Sequence, residues 1–99
     1  MPYPLIVEPE AELELEHAVN WYNDKRPKLG QEFLKCVEGV FDRICEMPEL
    51  HASAHLTARL TLVKRFPYVV CYIFDGEKVY VIAVFHGYRK PDVWKTHVH

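Results

Sequence analysis

Residues 68–86 read YVVCYIFDGEKVYVIAVFH, two apolar runs of strand length joined through Asp75-Gly76, and this stretch constrains the fold more than any other. Runs rich in β-branched and aromatic residues and divided by Asp-Gly form a hairpin, because glycine accepts the positive φ that a tight turn requires. Both alternating faces of the two runs, at about 68–75 and 78–86, are apolar, so these are expected as central strands. A third strand pattern precedes them at about 58–65, and YPLIVE at 3–8 forms a short strand whose Pro4 suits an edge or a strand start.

Between the first strand and the hairpin the apolar period changes from two to 3.6. Pro9 and the glutamates at 10, 12, 14 and 16 suit a helix N-terminus, through the fixed proline φ and the helix dipole. Leu15, Ala18, Val19 and Tyr22 supply the apolar stripe, and Pro27 ends the helix near Asp24 by disfavouring helical geometry at Arg26. A second helix begins near Lys28, with Phe33, Val37, Val40, Phe41 and Ile44 on one stripe and a stop at Met47-Pro48. So short a link makes the pair an antiparallel hairpin. The segment 49–57 reads as irregular. The expected architecture is α+β in the order β-α-α-β-β-β, with the helical hairpin packed on one face of an antiparallel sheet.

Ninety-nine residues, 49% hydrophobic and 26% charged, allow one core and hence a single domain over 1–99. On the even positions of the two central strands, Tyr68, Val70, Tyr72, Tyr80, Ile82, Val84 and His86 are expected to share the face that the helices leave uncovered. Tyrosines on an apolar face suit an interface, because their hydroxyls tolerate water. They equally suit the rim of the domain's own core. No basic n-region followed by an apolar stretch opens the chain and no run reaches membrane length, which favours a cytoplasmic protein without a membrane role. Cys36, Cys45 and Cys71 lack CxxC spacing and read as free, buried thiols.

Most familiar chemistries find no support. Ser53 is the only serine and has no glycine elbow, and the four glycines at 30, 39, 76 and 87 make no phosphate-cradling loop. His51 and His55 have the spacing of a helical zinc pair but lack the HExxH glutamate, so neither a metal nor a cofactor is expected. His97 and His99 stand among the last residues.

What remains surrounds the strand exit VFHGYRKPDVW. Arg59, Lys64, Arg65, Tyr88, Arg89 and Lys90 accompany His86 there. Attack on RNA by its own 2′-hydroxyl requires a base, an acid and cations for the crowded phosphate. His86 could exchange the proton while Arg65 and Arg89 hold phosphate in a bidentate grip. The alternative is architectural: His86 bonds a strand end, and the arginines answer the acidic helices. The net charge of -2 divides into -6 for residues 1–58 and +4 for residues 59–99, so indiscriminate nucleic-acid binding is not expected.

AVNWYNDKRPKLGQEFL, RFPYVVCYIF and AVFHGYRKPDVW together resemble the RelE/ParE superfamily of toxins from type II toxin–antitoxin and plasmid-stabilisation modules, over nearly the whole chain. RFPY with HGxRxP-x-x-W is similar to the ParE-like branch. The resemblance implies a toxin neutralised by a cognate antitoxin in a hetero-oligomer, the antitoxin covering the second sheet face. Together with the apolar second face and the strand exit, this makes Arg59, Val70, Tyr72, Tyr80, Ile82, Arg89 and Trp94 the expected partner-binding residues. The resemblance leaves two principal activities open: ParE-like inhibition of DNA gyrase, or RelE-like cleavage of messenger RNA on the ribosome. In the nuclease case His86, Arg65, Arg89 and Tyr88 form the catalytic set. The acidic net charge and the missing lysine cluster favour gyrase. A third possibility is a weakened toxin retained as an antitoxin-binding module.

Overall fold

A computed structural model describes residues 2–50, 53–55 and 57–87, with only the backbone described at Ser53–His55. The elements run β1 (Leu5–Val7), α1 (Pro9–Lys25), α2 (Leu29–Glu46), β2 (Ser53–His55), β3 (Ala58–Leu62), β4 (Tyr68–Phe74) and β5 (Val79–His86). They form one sheet in the order β1-β5-β4-β3-β2, with the helical hairpin on one side. Two features differ from the sequence expectation. The segment expected to be irregular contributes the short strand β2, and β1 pairs with β5 in parallel, so the sheet is mixed.

The helix boundaries follow their local chemistry. Pro9 opens α1 with Glu10 and Glu12 in the first turn, and Arg26 before Pro27 is extended at φ -158°. The crossing of the two helices is close: a Cβ on Gly30 would collide with the Val19 carbonyl oxygen. Asn23 accepts the Gly30 N–H at 2.8 Å in the same place. The expected stripe of α2, Phe33, Val37, Val40, Phe41 and Ile44, is buried throughout. On α1, Ala18 and Tyr22 are buried, Leu15 and Val19 pack against the core, and Ala11 joins them.

The sheet corrects the expected single row of even-numbered residues. Cys71 faces Ala83 whereas Tyr72 faces Val81, so Ile82 is an extra residue, a β-bulge. Val79 and Val81 point to the helices before the bulge, and Val84 does so after it. On β4, which alternates without a break, Val70 and Tyr72 are fully buried against the helices, with Tyr68 packed beside them, rather than on the second face. Tyr80 and Ile82 lie on the second face, with Ala58, Leu60, Val69, Cys71, Ile73, Ala83 and Phe85. That face is itself largely inaccessible at β4 and β5, Phe85 being only 4% exposed. It opens toward β3, where Leu62 is 72% exposed.

Candidate functional site

An aromatic cluster fixes the region where β5 ends. Tyr22 of α1, Phe33 of α2, Phe66 of the β3–β4 turn and Tyr68 of β4 meet with ring centroids 4.9–6.0 Å apart. Edge-to-face pairs of this kind add orientation to apolar burial. His86 extends the cluster, its ring edge-on to Tyr68 at 5.5 Å. The Gly87 N–H donates to the Pro67 carbonyl at 2.8 Å, which sets the strand exit beside the β3–β4 turn.

Glu14, His17, Ala18, Trp21, Tyr68, Val84, Phe85 and His86 line a cavity of about 190 Å³ between α1 and the end of β5. Glu14 accepts the Val84 N–H at 2.9 Å. A backbone donor on the outer edge of β5, past its pairing with β1, thereby gains an acceptor from α1. Glu14, expected only as one of the acidic residues of the helix N-terminus, and His17 both fall on the α1 turn that precedes Ala18, and no local signal ties them to the strand exit.

Arg65 points to another element. Its guanidinium donates to Glu32 of α2 at 3.0 Å and lies 5.5 Å from the Phe66 ring centroid. Glu32 also accepts from Arg26 at 3.2 Å. The Arg65 hydrogen bond is the largest influence holding the Glu32 carboxyl below its usual range, ahead of an opposing desolvation and the charges of Arg26, Arg65 and Lys35. The arginine expected to grip phosphate beside His86 is thus engaged with a carboxylate on the helical hairpin. Of the other candidates, Tyr88, Arg89 and Trp94 lie outside the described residues, as do His51, Lys90, His97 and His99, and the side chain of His55 is not described.

The partner-binding candidates divide. Tyr72 donates to the Pro48 carbonyl at 2.9 Å and ties the end of α2 to the sheet. Burial raises its phenol, with the charge of Arg59, its cross-strand neighbour, opposing. Tyr80 donates to Asp75 Oδ2 at 3.1 Å, which raises its phenol, while Asp75 Oδ1 accepts the N–H groups of Glu77 and Lys78 and closes the turn. Both tyrosines have internal structural partners. On the second face of the sheet, the apolar surface offered to solvent lies along β3, where Leu60, Thr61, Leu62 and Val69 line a depression of about 440 Å³. β2 pairs only with Ala58 and Arg59, so among the described residues no strand lies beside Leu60–Leu62 on that edge. No three His, Cys, Asp or Glu side chains gather as a metal site, and no helix is long and apolar enough to cross a membrane, among the described residues.

The family model for the ParE toxin of the type II toxin–antitoxin system parDE matches residues 5–91. The chain belongs to the ParE toxin family. No curated protein matches it. Among solved structures, the chromosomal ParDE toxin–antitoxin system from P. aeruginosa is similar at a TM-score of 0.75 and 11% identity, over 85% of this chain and 95% of that one. At that identity the likeness concerns the fold, and it agrees with the two helices on a mixed sheet found here. ParE membership bears out the expected branch of the superfamily and the expected α+β class.

Proposed function

We propose that this ParE-family chain is a toxin that inhibits DNA gyrase by protein–protein contact and is neutralised by a cognate antitoxin. The observation that carries the reading is the family match over residues 5–91. The disposition of side chains supports it. His86, the candidate for proton exchange, packs edge-on against Tyr68, and Arg65 turns to Glu32 on the helical hairpin. Inhibition through contact requires no proton relay, only a complementary surface. For the antitoxin, the open stretch of β3 offers backbone groups to an extended segment and Leu60 and Leu62 offer apolar anchors, the ingredients of strand addition.

The test is co-expression. The chain alone should arrest growth with filamentation and a DNA-damage response. The reading frame beside its gene should relieve the arrest and co-purify with the chain. Replacing Leu62, which is exposed, with aspartate should leave the fold intact and weaken that complex. Full co-purification of the Leu62→Asp variant would remove the β3 edge as the antitoxin site, and arrest of translation before any DNA damage would count against gyrase.

A further inference from the structure

Only two non-glycine residues among those described have a positive φ, Lys28 at 69° and Arg65 at 74°. That conformation crowds Cβ against the backbone, and glycine, which has no Cβ, would relieve it. Here both positions carry cations, and both lie at one pole of the molecule. Lys28 precedes α2; Arg65, in the β3–β4 turn, reaches the Glu32 carboxylate in the first turn of α2 at 3.0 Å. Arg26 reaches the other oxygen of Glu32 at 3.2 Å. Lys28, Gln31, Glu32 and Lys35 line a shallow depression of about 540 Å³, and exposed Lys64 adjoins Arg65 in the turn. We propose that this pole, Arg26, Lys28, Lys35 and Arg65 around Glu32 with exposed Lys64 next to Arg65 in the turn, binds the phosphate backbone of duplex DNA. The inference stands whether or not gyrase is the target.

Glu32 holds two guanidinium groups on one carboxylate, the arrangement in which arginines also grip a phosphate. Both ion pairs are exposed, with arginine side chains 60% and 57% accessible, so a phosphate can displace the carboxylate at little cost. Protein partners require an apolar centre to their interface. Among the described residues, none of the exposed large hydrophobics is itself one of the pole's residues 26–35 or 64–66, Trp21 on α1 being the nearest in sequence to Arg26. Unpaired bases require exposed aromatic faces for stacking. Phe66 instead packs on Tyr22 and Phe33 with Arg65 over it. A duplex backbone needs neither feature, only cations in register. Backbone strain at two cations of one surface is of the kind that clusters at binding sites.

The experiment is fluorescence anisotropy of the full chain with a short labelled DNA duplex between about 50 and 200 mM salt, beside melting curves. Binding should weaken steeply with salt. Lys28→Gly and Arg65→Gly should melt at the same or a higher temperature, bind at least about threefold more weakly and each lower the salt slope by about 1. Arg65→Lys should retain part of the affinity, and Glu32→Gln should bind more tightly. No binding at the lowest salt would overturn the proposal. So would an Arg65→Gly chain that melts lower yet binds DNA unchanged, since the arginine would then serve the fold. Competition by poly-glutamate or an RNA duplex as effective as by DNA would overturn the assignment to DNA.

Discussion

The Glu14 carboxylate accepts the backbone N–H of Val84 at 2.9 Å, joining α1 to the outer edge of β5 across a sequence separation of 70 residues. A partly buried backbone donor without an acceptor costs roughly 1–3 kcal/mol. Glu14→Leu should therefore destabilise the chain by about that amount. Glu14→Gln, which keeps an acceptor oxygen, should lose much less. Urea unfolding of the two variants checks the difference, and equal losses would show that packing, not the hydrogen bond, holds the edge.

Gly30 stands where the helices cross, and Gly30→Ala would place a methyl against the Val19 carbonyl and Asn23. The helices must separate to admit it, at a cost of about 1–3 kcal/mol for overpacking. The mutation would otherwise favour a helix interior, so its sign is diagnostic. A thermal melt higher than that of the parent would contradict the close crossing.

Tyr72 is fully buried and its hydroxyl answers the Pro48 carbonyl. Tyr72→Phe should cost about 1 kcal/mol, the net value of one hydrogen bond, and Tyr72→Ala about 3–5 kcal/mol through the cavity it leaves. Antitoxin affinity of the folded Tyr72→Phe chain should be unchanged, which calorimetry can establish.

Burial pushes the Cys71 thiol up to about 12, with the charge of Glu14 adding to the shift. An unfolded cysteine loses its proton near pH 8.5, so between there and about 12 the folded chain binds the extra proton and stability falls as pH rises. Cys71→Ala should flatten that alkaline loss. At pH 8 half-buried Cys36 should react with a thiol reagent before Cys45 and Cys71, and mass spectrometry of the labelled native chain gives the order.

Much of this architecture could be read from local pattern, because prolines, Asp-Gly and apolar spacing act over a few residues. Pro9, Pro27 and Pro48 placed both helices to within about two residues, as their fixed φ and missing N–H dictate. The facing of the sheet was not legible. One extra residue at Ile82 reverses the parity of β5, so Val79, Val81 and Val84 share a side that no strict alternation would give them. The parallel pairing of β1 depends on where α1 and α2 return the chain, which no local signal encodes. The basic pole was hidden for a related reason. Arg26, Lys28 and Lys35 belong to the acidic half of the sequence, and only the fold brings Arg65 to the Glu32 that they surround. The strand-exit site was legible in part: His86 lies at the end of β5 as expected, whereas its neighbours Glu14 and His17 come from α1.

The gyrase reading is tested most directly by one preparation of the purified chain in two reactions, gyrase supercoiling of relaxed plasmid and translation of a messenger followed by primer extension. Supercoiling should fall, or cleaved plasmid accumulate, in proportion to toxin added and recover when antitoxin is supplied, while the messenger stays intact. Messenger cuts at the ribosomal A site that vanish in His86→Ala, with supercoiling untouched, would contradict it.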